Sequence, residues 1–186
     1  NTLQLWADQN TDWNFFGWDM PSTWYQSVNP FIIFVFAPLL DSFWAWQTKR
    51  GKEPSTTLKM AIGCFLGTLA LLIMMVAAKE VGGGKGSILW LLGSTFMLTI
   101  GELYLSPIGL SLVTKVAPAK IVSMMMGVWL LSSFFGNYVA GWIGSYYERM
   151  GKDEFFMLLA ILSFIPGLIF FLSQRGLSKA LVQAEA

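Results

Sequence analysis

The chain of 186 residues has no histidine and one cysteine, Cys64. Lack of histidine removes the usual proton shuttle near neutral pH and the commonest metal ligand. A single thiol admits no intrachain disulfide and says nothing about compartment. No Cys/His or Ser/His pair can be assembled for nucleophilic catalysis, and no metal-ligand spacing occurs. Charge is scarce too: 12 basic and 11 acidic residues leave a net charge of +1, which carries no message toward nucleic acid. Gly82-Gly83-Gly84-Lys85-Gly86-Ser87 superficially resembles a phosphate-cradling loop, but no strand precedes it. These absences predict a protein that is not an enzyme and holds no cofactor or metal. The first residues lack a basic segment followed by an apolar core, so no signal peptide is predicted. A start at Asn1 rather than Met predicts a processed product or a fragment.

What the chain has in abundance is apolar surface. Hydrophobic residues make up 55%, with 15 Phe and 9 Trp, too apolar a balance for an ordinary soluble domain. An all-α membrane protein is predicted, with spans at about 24–46, 58–78, 87–114, 121–147 and 155–174, each long enough to cross the hydrocarbon layer. Residues 1–23 precede them, and Leu3, Trp6 and Asn10 fit one face of an earlier helix cut short. Gly17 and Pro21 then predict a loop. Asn29-Pro30 and Pro38 are expected to interrupt the first span, and Pro166-Gly167 lies at the centre of the last. Trp24, Tyr25, Trp44 and Trp46 bracket the first span as interfacial belts would. Ser55 or Thr56 is placed to cap the second span, Gly82–Gly84 reads as a flexible linker, and the tail after Arg175 as a frayed helix.

The loop charges orient the spans. Lys49, Arg50, Lys52, Lys59, Lys115, Lys120, Arg175 and Lys179 all fall on alternate loops and the tail, whereas seven of the acids fall on the opposite set. The positive-inside rule places the basic loops and the C-terminus in the cytoplasm and the start of the chain outside.

The third span holds the chemistry. Between Gly86 and Thr114 the only charge is Glu102. A carboxylate inside a membrane helix is costly, so it is expected to face a bundle interior or a water-filled cavity. Ser106 follows one turn later on the same face, and Pro107 removes a donor and bends the helix beside the acid. The plain alternative is a salt bridge that ties this helix to a neighbour. In the fourth span Gly136, Ala140 and Gly144 recur every fourth residue, a stripe that predicts close helix packing. Met124-Met125-Met126 and Trp129 offer adaptable, broad apolar contact or, equally, plain core or lipid-facing surface.

Taken together, Gly101-Glu102-Leu103-Tyr104-Leu105-Ser106-Pro107-Ile108-Gly109-Leu110, followed by Ala117-Pro118, resembles helix ten of the proton-dependent oligopeptide transporters of the major facilitator superfamily. Ser27-Val28-Asn29-Pro30-Phe31-Ile32 resembles their helix eight, and Leu3-Gln4-Leu5-Trp6-Ala7-Asp8-Gln9-Asn10-Thr11 the end of their helix seven. The resemblance implies the C-terminal six-helix bundle of a twelve-helix transporter, with five full spans and a truncated first helix. Its partners would be the N-terminal half, small peptides, protons and the lipid bilayer, in the plasma (inner) membrane. The family's Glu-x-x-Glu-Arg motif and its carboxylate-binding basic residues belong to that N-terminal half and do not occur in this sequence. Carried over, the resemblance assigns Glu102 to the peptide ammonium or to a lysine of the other half. Asn29 would meet the peptide terminus, Ser106 would line the cavity and Trp129 would wall a side-chain pocket. Leu110 and Met126 would close the cytoplasmic side. Other readings are a transporter of another family solute such as nitrate, a channel, or a membrane-embedded accessory subunit. A channel would need a polar stripe that these spans do not offer.

Overall fold

Five helices are long and apolar enough to cross a membrane: Ser22–Lys49, Thr56–Val81, Ile88–Val116, Val122–Gly144 and Lys152–Gln174. The computed structural model describes residues 2–15, 18–19 and 21–185, with side chains described for 2–14 and 21–174. The expected break at Gly17 and the side chains of Arg175 and Lys179 lie outside the described residues.

Helix α1 (Thr2–Asn10) leads into three two-residue strands, β1 (Thr11–Asp12), β2 (Asn14–Phe15) and β3 (Trp18–Asp19), the last two paired antiparallel. A 3-10 turn (Ser22–Ser27) runs directly into α2 (Val28–Lys49), followed by α3 (Thr56–Val81), β4 (Gly86–Ser87), α4 (Ile88–Val116), α5 (Val122–Gly144) and α6 (Lys152–Glu185). The prolines do not break these helices. Pro30 lies in the first turn of α2, where a missing N–H removes no helical bond. Pro38, Pro107 and Pro166 sit inside continuous helices. The tail after Arg175 is helical, its backbone continuing α6 to Glu185.

Helix α3 is the centre of the packing, held between α4 and α6. Glycine makes both contacts possible. A Cβ on Gly63 would stand 2.8 Å from the Gly101 carbonyl oxygen of α4, and one on Gly167 of α6 would stand 2.9 Å from Cys64 Cβ. Small residues let backbones approach in lipid, where no hydrophobic force drives helices together. Hydrogen bonds add to this: Ser94 Oγ donates to the Ala70 carbonyl at 3.0 Å, and Ser163 Oγ to that of Cys64 at 3.3 Å. The stripe that the sequence marks as a packing face does not do this. Gly136 has nothing within 4 Å, and Gly144 meets only Thr2. No residue of α5 is buried, because α3 and α6 take each other's flanks and leave α5 touching the group through α4.

The helix ends are fixed in two clusters. At one end, Thr11 pairs with Gly86 in a parallel bridge. Asn10 Nδ2 donates to the Gly84 carbonyl at 3.2 Å and Lys152 Nζ to Asn10 Oδ1. Trp6, Phe155 and Phe156 are fully buried beneath these bonds. The glycine run here is a defined turn rather than a loose linker. Gly82 adopts the left-handed cap (φ 55°) and its N–H bonds the Ala78 carbonyl at 3.2 Å, a conformation that favours glycine. At the other end, Ser55 caps α3 by accepting from the Leu58 N–H at 3.3 Å. Of the expected interfacial aromatics, two serve inner contacts instead. Tyr25 is buried with its hydroxyl 2.6 Å from Thr95 Oγ1, and Trp44 meets Tyr104 edge to face at 5.2 Å. Trp24 and Trp46 remain exposed, at 51% and 48%.

Candidate functional site

The site is laid out along α4. Gly101 turns its backbone onto α3, so the next residue, Glu102, is rotated about 100° away from that contact. Its side chain is exposed and makes no ion pair with any described residue. The carboxylate is therefore not buried by these helices, and it does not tie α4 to a neighbour through an ion pair among the described residues. Ser106 lies on the same flank and is likewise exposed.

Gly109 follows Glu102 by seven residues, which brings it back to nearly the same azimuth about two turns on. Here α5 arrives. Gly109 is buried, and the benzene edge of Trp129 lies against it, with Cη2 at 2.2 Å from where a Cβ would stand. Glu102, Ser106 and the Trp129 indole thus share one flank of α4. Leu110 is 40% exposed, while Met126 and Trp129 are half-buried.

Asn29 is set apart from this row. Tyr25 and Phe36 of the preceding turn and α2 both reach the Thr95–Phe96 level of α4, through the Tyr25–Thr95 hydrogen bond and a ring contact at 5.1 Å. Asn29 lies between them in sequence. Asn29 precedes Phe36 by seven residues of α2, and Phe36 meets Phe96, six residues before Glu102 on α4, so Asn29 and Glu102 are well separated along the bundle. The side-chain oxygen Oδ1 is buried without a hydrogen-bond partner, which is costly for an amide.

One carboxylate escaped the sequence reading. Asp41 lies within α2, exposed and without an ion pair among the described residues. The contacts Phe36–Phe96 and Trp44–Tyr104 fix the register of α2 on α4, and that register sets Asp41 level with Gly101 but leaves Glu102 on the flank of α4 turned away from α2. The signal was there to find: a charge inside an apolar helix marks function by default.

Beyond the spans, electrostatics gather at the basic end. Lys59 Nζ meets Glu53 Oε1 at 2.5 Å and lies 4.8 Å from the centre of the Trp44 ring. Thr48 Oγ1 donates to Glu53 Oε2 at 2.5 Å. The Lys59 hydrogen bond, helped by that of Thr48, holds the Glu53 carboxyl below its usual range, and Lys115 of α4 adds a weaker attraction. The basic loop and the end of α4 therefore share one end of the bundle. At the opposite end, burial pushes the Tyr147 hydroxyl up to about 12.

Residues 1–155 match the family described as PTR2: POT family. The peptide transporter YePEPT of Yersinia enterocolitica is 38% identical over 155 residues, covering 82% of this chain and 30% of that protein. A di-/tripeptide transporter of Lactococcus lactis subsp. cremoris is 30% identical over 183 residues, covering 95% of this chain and 36% of its own length. The chain thus spans about a third of the curated relatives it matches. Among solved structures, the peptide transporter POT in complex with sulfate superposes with a TM-score of 0.87 at 29% identity, over 96% of this chain and 36% of that one. The all-α fold is that of the major facilitator superfamily, and the protein is integral to a membrane. By the family match over 155 of its residues, the chain belongs to the POT family.

Proposed function

We propose that this chain is the C-terminal half of a twelve-helix symporter that moves di- and tripeptides with protons, by alternating access, across the plasma (inner) membrane. The observation that carries this reading is Glu102: a carboxylate midway along a membrane helix, exposed from its own bundle and unpaired within it. Hydrocarbon does not hold such a group cheaply, so the flank of α4 that carries it borders an aqueous cavity closed by the N-terminal half. The exposed apolar face of α5, with Leu131, Phe135 and Tyr138, supports the same arrangement, which leaves α5 for contact with that half and with lipid. The basic end and the C-terminus lie in the cytoplasm.

In this reading Glu102 receives the peptide ammonium, and in the empty state a lysine of the other half. Competition of two cations for one carboxylate biases a two-state element, as alternating access requires. Asn29, whose amide oxygen has no hydrogen-bond partner among the described residues, serves a peptide group nearer the outer side, and Ser106 lines the cavity one turn beyond Glu102. Trp129 walls a side-chain pocket, and Leu110 and Met126 close the cytoplasmic mouth. The chain performs transport, not covalent chemistry, and takes no cofactor.

The test is uptake into liposomes by the full transporter that contains this chain, driven by an imposed pH gradient. Di-alanine should accumulate, N-acetylated di-alanine should not, and excess nitrate should leave the rate unchanged. Competition by nitrate with no peptide uptake would move the protein to the other solute class.

A further inference from the structure

We propose that Gly109 is a positioning residue that seats the Trp129 indole and so sets the size of the side-chain pocket; the proposal rests on the reading of Trp129 as a pocket wall. The contact is unusually close. A Cβ on Gly109 would stand 2.2 Å from Cη2, 2.7 Å from Cζ2 and 3.1 Å from Cζ3 of Trp129, all on the outer edge of the six-membered ring. No side chain fits there, so the indole lies directly on the α4 backbone.

That seat has two consequences. First, it fixes the indole's depth: the ring lies about two turns of α4 from Glu102, on the same flank. A ligand held at Glu102 by a cation would meet the ring's face with whatever side chain it carries. Second, the seat can be disturbed without prising helices apart. The atoms that a new methyl would strike are the far edge of one side-chain ring, itself only half-buried, so relief calls for a side chain to turn and not for a backbone to move. By contrast, a methyl at Gly101 strikes backbone. Gly109→Ala is therefore expected to move a ring, not to unfold a bundle.

The experiment uses the full transporter labelled with 5-fluorotryptophan, with the Trp129 resonance assigned through Trp129→Phe. Gly109→Ala should shift that resonance and change the KM ratio of bulky to small dipeptides on the order of ten-fold, with kcat for di-alanine kept. In a Trp129→Phe background, which lacks the ring edge that the methyl strikes, Gly109→Ala should no longer alter the ratio. An unmoved resonance, or the same change of ratio with and without the indole, overturns the proposal. So does a ratio that responds to Trp129→Phe and not to Gly109→Ala. A moved resonance with a ratio indifferent to both substitutions refutes Trp129 as a wall, and with it the pocket-setting role, while the seat itself stands. Should Gly109→Ala alone not insert, recovery of folded transporter in the double variant supports the contact, and continued loss overturns it.

Discussion

The carbonyl oxygen of Gly63 lies 2.7 Å from the place where a Cβ on Gly101 would stand, so α3 and α4 cross backbone on backbone one residue before Glu102. The oxygen is main chain and cannot turn aside from an added methyl. Gly101→Ala is expected to lower stability by about 1–3 kcal/mol through overpacking, seen as a lower thermal midpoint in detergent. Gly93→Ala is the control on the same helix. It has nothing within 4 Å and should stabilise by up to about 1 kcal/mol, as helix propensity alone dictates.

Glu102→Gln keeps shape and hydrogen bonding and removes the charge. The full transporter should still fold and insert, since no ion pair among the described residues is lost, while proton-driven peptide uptake falls to near background. Normal uptake by this variant would leave the carboxylate without the role proposed for it.

Much of this was legible in the residues. Long charge-free runs announce membrane helices because hydrocarbon tolerates little else, and Glu102 stands out against them for the same reason. What the residues could not show is which glycines touch. Gly136, Ala140 and Gly144 have the spacing of a packing face, yet the close contacts fall at Gly63, Gly101 and Gly109. Spacing sets which residues share a face; the choice of neighbour for that face comes from the rest of the bundle. Proline is ambiguous in the same way: Pro30 falls in the first turn of α2, where its missing donor removes no helical bond, and the helices run on through Pro38, Pro107 and Pro166. Asp41 was overlooked although its signal equalled that of Glu102.

Two tyrosines make opposite use of one hydroxyl. Tyr25 bonds Thr95 at 2.6 Å, whereas Tyr147 has its hydroxyl buried with no partner. Tyr25→Phe should cost about 1 kcal/mol and Tyr147→Phe should be neutral or stabilising, measured by denaturation of the two variants side by side. The Tyr147 hydroxyl, raised to about 12, should stay neutral in absorbance titrations past pH 10.

The Glu53–Lys59 pair sets a pH dependence at the basic end. The folded carboxyl titrates below its ordinary value, chiefly through the Lys59 hydrogen bond. Its contribution is thus fully present above the unfolded pKa of Glu and lost as pH falls through the folded value. Stability should decline below about pH 4.3, and Lys59→Met should flatten that part of the profile.

Sidedness is open to direct labelling. Gly51 and Gly83 have φ of 64° and 95°, where cysteine would strain the turns, so their exposed neighbours serve better. In intact cells Lys85→Cys should react with an impermeant thiol reagent and Lys52→Cys should not. Equal labelling would overturn the proposed orientation.

Lys152 Nζ donates to the side chain of Asn10, which in turn donates to the Gly84 carbonyl. One amide thereby rivets three stretches far apart in sequence: the close of α1, the turn after α3 and the start of α6. That end of the bundle is held as one piece, like the joint of a pair of tweezers. The lever arms here are the ends of α4 and α5 joined by residues 117–121, where no comparable rivet links them to α6 among the described residues. Any rotation of those arms about the riveted end would carry Leu110 and Met126 farther than the residues near the rivet.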